Sequence, residues 1–301
     1  MKRRDLLHLS ATIGLAASLP PVVFAESKLN SVAIGAAPIT ALQPPADGAI
    51  PVAFLLSDDA VVIDFAGPWE VFENVMIGQT HPFNLYTVAE TTSPVRASGG
   101  MTIVPNYALA AAPLPKVIVI PAQSDPSDAV IAWVRKATRT SDVTMSVCTG
   151  AFLLAKTGLL SGKSATTHHG AYAEFAMAFP DVQLKRGARF VESGNLASSG
   201  GLSSGIDLAL HIVERYYGHA VALSTADDME YQGLGWMNAN SNQVYANRRV
   251  SSAEHPICPV CEMDVDASVA PKSTYHGKTY FFCMQSHKTL FDTSPARFLA
   301  V

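Results

Sequence analysis

A cysteine placed to act as a nucleophile stands at residue 148, in Ser146-Val147-Cys148-Thr149-Gly150-Ala151, between an apolar strand-like run and a helix-like one. A side chain at such a strand-to-helix turn is presented at the carboxyl edge of a sheet, where α/β folds bind ligands. The helix starting near Thr149 would aim backbone N–H groups and the positive end of its dipole at the sulfur. That favours thiolate and can hold a developing anion. A buried structural cysteine fits the same position, because free cysteines are among the most buried residues. The other three cysteines are spaced for different chemistry. Cys258-Pro259-Val260-Cys261 is a C-x2-C pair, and Cys283 with His287 is a C-x3-H pair. Together they supply three thiolates and one imidazole, a four-coordinate soft site. A disulfide between two of the three is the alternative.

Three further residues could handle protons. Asp64 precedes an expected helix at Gly67 or Pro68, so it reads either as that helix's N-cap or as an acid/base group. His168 and His169 follow the strand-like stretch 164 to 167 and could reach the same edge as Cys148, where a histidine would serve as base. Adjacent histidines are equally common on surfaces.

The elements that must position these groups follow from periodicity. Residues 51 to 56, 83 to 89, 116 to 120 and 143 to 147 are short β-branched runs, and helical patterns cover 67 to 76, 126 to 138 and 150 to 156. This alternation predicts a parallel sheet covered on both faces. Ile206, Leu210, Val213 and Tyr217 recur at helical spacing, with Gly218 as a stop, and a further helix is expected over 220 to 231. Beyond it, residues 238 to 252 hold four asparagines and little apolar content. Residues 232 to 255 therefore read as a linker or a domain-crossing arm.

Of the 301 residues 49% are hydrophobic and 15% charged, the profile of a globular protein with a sizeable core. The net charge is −4, and no basic tract argues for nucleic acid. Residues 1 to 25 read as an address. Lys2-Arg3-Arg4 gives a basic start, an apolar stretch follows to Phe24, and Val23-Phe24-Ala25 offers small residues for a peptidase. This resembles a twin-arginine export signal and implies a periplasmic protein that does not span the membrane once the signal is removed. Its polar residues and two prolines make it a poor membrane span. Residues 26 to 50 read as a loose tether. In an oxidising compartment exposed thiols end as disulfides unless metal or burial protects them.

Four blocks in the middle of the chain carry a family resemblance: residues 64 to 72, beginning Asp64-Phe65-Ala66-Gly67-Pro68; residues 146 to 155 around Cys148; Ser164 to His168; and Ser199-Gly200-Gly201 with 204 to 210. Over 51 to 231 they resemble the ThiJ/PfpI family, in its branch of isonitrile hydratases and regulator sensor domains. The resemblance implies a flavodoxin-like, class I glutamine amidotransferase-like three-layer sandwich, a homodimer, and a small-molecule substrate or ligand without a cofactor. It carries the nucleophile onto Cys148, the following threonine onto Thr149 and the neighbouring acid onto Asp64. The branch does not require a histidine partner, which leaves His168 as an added candidate. One departure is the turn Pro121-Ala122-Gln123, where relatives usually have Pro-Gly-Gly and offer backbone N–H groups to the substrate. The last segment, 256 to 301, resembles the YHS domain through Tyr275-His276-Gly277 and Tyr280-Phe281-Phe282-Cys283. That resemblance implies a small α+β module associated with a heavy metal, copper or zinc, on Cys258, Cys261, Cys283 and His287.

Three functions fit these observations. The first is an exported cysteine-dependent hydratase or hydrolase resembling isonitrile hydratase. The second is a sensing protein whose pocket binds without turnover, and the third is a metal-handling protein with the α/β domain as scaffold.

Overall fold

A computed structural model describes residues 40–252 and 254–299. From residue 50 the chain runs through β1 (Ile50–Leu55), α1 (Val62–Asn74) and β2 (Phe83–Ala89), then three two-residue strands, β3 (Val95–Arg96), β4 (Thr102–Ile103) and β5 (Tyr107–Ala108). It continues with β6 (Val117–Ile120), α2 (Asp128–Thr138), β7 (Val143–Val147), α3 (Gly150–Lys156), β8 (Ser164–Ala165), α4 (Tyr172–Ala178) and β9 (Gln183–Leu184). The α/β part closes with β10 (Phe190–Ser193), β11 (Leu196–Ser199), α5 (Ser204–Tyr217) and α6 (His219–Asp228).

The main sheet has seven strands in the order β10-β11-β7-β6-β1-β2-β5, parallel except for β10 against β11. Successive side chains on a strand point to opposite faces. Val52 and Phe54 of β1, with Val117 and Val119 of β6, therefore enter one core with Val71 and Phe72 of α1 and Leu208 and Ile212 of α5. Ala53, Leu55, Ile118 and Ile120 enter the other, with Val130 and Val134 of α2, Leu154 of α3 and Phe175 of α4. Because both faces are buried, β6 reads as the uninterrupted run Val-Ile-Val-Ile. The result is the expected α/β sandwich.

One element starts elsewhere than expected. Helix α1 begins at Val62, five residues before Gly67, and Pro68 lies inside it. Its entry is fixed by distant partners: the Val61 N–H donates to Ala122 O at 2.8 Å and the Val62 N–H to Ser98 Oγ at 3.1 Å. These satisfy first-turn donors that a side-chain cap would otherwise take. Asp64 is consequently a helical residue and not the N-cap, and it is fully buried.

The expected signal, and residues 26 to 39 of the expected tether, lie outside the described residues. Where description begins, the chain is held in place: the Leu42 N–H donates to Arg215 O, and Arg215 Nε to Thr40 O. The asparagine-rich arm is likewise laid on the α/β layer. Trp236 is buried and stacked with His219, and Asn242 Oδ1 accepts from Arg189.

The tail module is an antiparallel hairpin, β12 (Lys272–Tyr275) and β13 (Lys278–Phe281), followed by α7 (Gln285–Thr293) and α8 (Pro295–Leu299). Its two-residue turn, His276-Gly277, has φ of 47° and 73°, the left-handed pair that matches strand twist. Phe282, Phe291 and Phe298 form its small core around the cysteines. Among the described residues no helix is long and apolar enough to cross a membrane.

Candidate functional site

Cys148 follows the last residue of β7 and adopts φ 58°, a left-handed conformation that costs a non-glycine residue on the order of 1 kcal/mol. The surroundings hold it there. Its N–H donates to Gly200 O at 3.0 Å, and its carbonyl accepts from Thr167 Oγ1 at 2.9 Å. Helix α3 then starts hard against the end of β6: a Cβ on Gly150 would lie 2.2 Å from Ile120 O, so only glycine fits there. The elbow and the Pro121-Ala122 turn are thereby locked together.

That turn carries the link to Asp64. The Ala122 N–H donates to Asp64 Oδ2 at 3.1 Å, and the same carboxyl group faces the Cys148 thiol and the Leu202 N–H. Burial pushes Asp64 up to about 6, against the lowering effect of the two N–H groups and the thiol. Burial, followed by the charge of Asp64, pushes Cys148 up to about 12, although the N–H groups of Thr149 and Leu202 pull it down. The resting pair near neutral pH is thus carboxylate and thiol, not the thiolate that the helix start alone would favour. The carboxyl group therefore loses its proton well before the thiol does.

The structure brings Asp64, Cys148 and Thr149 together, with the Thr149 N–H on the sulfur and its side chain not capping α3. His168 sits beside them in a different capacity. Its Nδ1 accepts from the Gly170 N–H at 3.1 Å, which makes Nε2 the protonated nitrogen, and burial holds its pKa below the usual value. The ring packs on Gly201, where a Cβ would approach to 2.1 Å of the imidazole, and lies tilted against His169, which in turn stacks on Tyr245 of the arm. Among the described residues no hydrogen bond joins His168 to Cys148. Its place is in the wall beside Leu202. The Leu202 N–H was not singled out from sequence, since a main-chain donor has no residue type to reveal it.

In the tail, ligand atoms of Cys258, Cys261, Cys283 and His287 all lie within 4.8 Å of one another. Cys261 Sγ is 3.5 Å from Cys283 Sγ, and His287 Nδ1 is 3.2 Å from Cys283 Sγ and 3.7 Å from Cys258 Sγ. A tetrahedron of roughly 2.3 Å bonds has edges of about 3.7 Å, so the four donors fit a metal ion with little movement. All four cysteines of the chain are free thiols. A hydrogen bond from Cys261 brings Cys258 well below the usual thiol range, and the same bond with burial raises Cys261.

The sequence model of the DJ-1/PfpI family matches residues 51–215, more than half of the chain. The chain belongs to the DJ-1/PfpI family. The YHS domain matches residues 257–300, the segment of the cysteine cluster. An isonitrile hydratase from Pseudomonas putida is 29% identical over 188 residues, which are 61% of this chain and 79% of that protein. The HTH-type transcriptional regulator GbdR from Pseudomonas aeruginosa is 26% identical over 190 residues, 61% of this chain and 51% of the regulator. The chain thus spans about half the length of that regulator. A solved ThiJ/PfpI family protein from Pseudomonas syringae shares the fold with a TM-score of 0.56 at 24% identity, covering 66% of this chain and 84% of that one.

Proposed function

We propose that the α/β domain hydrates isonitriles to N-substituted formamides through Cys148 and Asp64. The observation that carries this reading is the buried Asp64 carboxyl beside the Cys148 thiol at the carboxyl edge of the sheet; the similarity to an isonitrile hydratase supplies the substrate class. An isonitrile carbon must gain a proton and a nucleophile, and then water. A thiol beside a carboxylate provides the first two.

As sulfur attacks the carbon, Asp64 takes the thiol proton and passes it to the same carbon, forming the C–S and C–H bonds of a thioimidate. Water then adds to that carbon; its proton moves through Asp64 to nitrogen, leaving a tetrahedral adduct with N–H and O–H. The hydroxyl proton finally returns through Asp64 to the departing sulfur, the C–S bond breaks, and the formamide leaves with the thiol restored. The N–H groups of Thr149 and Leu202 hold charge on sulfur in the first and last steps. In this reading residues 1 to 25 export the protein to the periplasm, and the tail module holds a copper or zinc ion.

The active form is ionised Asp64 with protonated Cys148, so the pH profile has a defined sign. Because Asp64 titrates at about 6, kcat/KM for a small alkyl isonitrile is expected to rise about tenfold between pH 5 and pH 7 and then stay level to pH 9. Formamide release measured across that range checks it; a profile flat from pH 5 to 7 contradicts the role given to Asp64. A second reading, binding without turnover, draws on the similarity to GbdR over the same span. It gains if a panel of isonitriles binds and no formamide forms.

A further inference from the structure

The C-x2-C turn ends on a residue that metal binding does not need. Glu262 follows Cys261, closes the knuckle with its N–H on Cys258 O at 2.8 Å, and takes φ 62°, a conformation in which glycine would be at ease. A glutamate stands there, buried, with its carboxylate surrounded by arginines. Arg186, between β9 and β10 of the α/β domain, donates from both terminal nitrogens, at 3.2 and 2.9 Å. Arg248 Nε lies 3.3 Å away, the Arg249 N–H reaches Glu262 Oε2 at 3.4 Å, and Arg249 NH1 donates to the Glu262 carbonyl at 2.9 Å. Two-pronged guanidinium–carboxylate contacts are geometrically exacting, and a buried carboxylate left without them is strongly unfavourable.

The receiving face is built for this contact. The Arg186 guanidinium lies over the Tyr172 ring at 4.8 Å and its Nε donates to Ala246 O, which fixes the arm as well. Met177 of α4 packs against the tail core that contains Cys258 and Cys261. The same arm carries Tyr245, stacked on His169 beside the wall of the Cys148 site.

We infer that the face formed by Tyr172, Met177 and Arg186 is the docking surface for the chain's own metal-loaded tail, and that Glu262 is the key that fits only when the knuckle is closed on its metal. Glu262 directly follows Cys261 and its N–H bonds Cys258 O, so a knuckle free of metal loses the geometry that holds the carboxylate against the guanidinium groups of Arg186 and Arg248 and the Arg249 N–H. The arm at Arg248 and Arg249 is then released. This linkage is independent of the reaction proposed above.

Trypsin reads it directly, because cleavage after Arg248 requires the guanidinium that the Glu262 carboxylate holds. With zinc chloride, full-length protein is expected to be cut there at least tenfold more slowly than after EDTA treatment. The variant Glu262→Gln, which keeps shape and loses charge, is expected to retain one zinc per chain yet be cut at about the rate of the chelated protein. Arg186→Met, outside the knuckle, is expected to behave alike and decides the matter if Glu262→Gln does not take up zinc. Equal cleavage of the wild type with and without zinc overturns the inference. So does a zinc-loaded Arg186→Met variant as resistant as the wild type.

Discussion

Cys148→Ala is expected to lower formamide formation by at least about 10⁴-fold while leaving the fold and the metal content of the tail intact, since the variant lacks the nucleophilic sulfur that bonds to substrate carbon. The elbow survives the change. Its anchors are the backbone bonds to Gly200 O and Thr167 Oγ1, and alanine bears the left-handed φ no worse than cysteine. Removing one buried sulfur costs about 1 kcal/mol. The paired control is Cys258→Ser, expected to lose tail metal and keep the reaction. Steady-state assays with metal analysis of both variants check the pair; loss of turnover in Cys258→Ser with retention in Cys148→Ala would reverse the assignment of the two cysteine sites.

Asp64→Asn is expected to trade activity for stability. Turnover falls about 10³-fold, because the amide cannot carry the thiol proton to carbon. Stability at pH 8 rises. The folded chain holds the Asp64 proton more tightly than the unfolded chain, its pKa moving from 3.8 to about 6. Its stabilising contribution is therefore complete below pH 4 and lost as pH rises through 6. Above that, the ionised buried carboxylate weakens the fold by up to about 3 kcal/mol, which asparagine relieves. Urea unfolding should show a midpoint higher by roughly 1 M in the variant at pH 8 and nearly equal midpoints at pH 4. A variant less stable at pH 8 than at pH 4, relative to wild type, contradicts the burial argument.

Much of this arrangement is legible in local sequence. The Val117 to Ile120 run reads as a doubly buried strand, and Cys148 between a strand pattern and a helix pattern reads as an elbow, because both signals span a few residues. The C-x2-C and C-x3-H pairs predict their cluster for the same reason. Helix α1 is different. Pro68 looks like a helix start, but the true start depends on Ser98 and Ala122, residues 36 and 61 positions further along the chain from Val62 and Val61. That shift is what carries Asp64 from a capping position into the core. The asparagine-rich arm misleads in the same way, since Trp236 and Asn242 are buried by partners on α5, α6 and the Arg189 segment that no local pattern announces. Glu262 is plain in sequence and meaningful only once Arg186, 76 residues away, is beside it.

The central claim is a covalent bond between Cys148 sulfur and an isonitrile carbon. Acid quenching of stoichiometric enzyme and a small alkyl isonitrile during turnover, followed by intact-mass measurement and peptide mapping, tests it most directly. The account predicts a gain equal to the whole isonitrile mass, since addition of a thiol across that carbon loses no atom, confined to the peptide carrying Cys148. Formamide produced with no adduct on that peptide, or an adduct confined to the peptides of Cys258, Cys261 and Cys283, would contradict it.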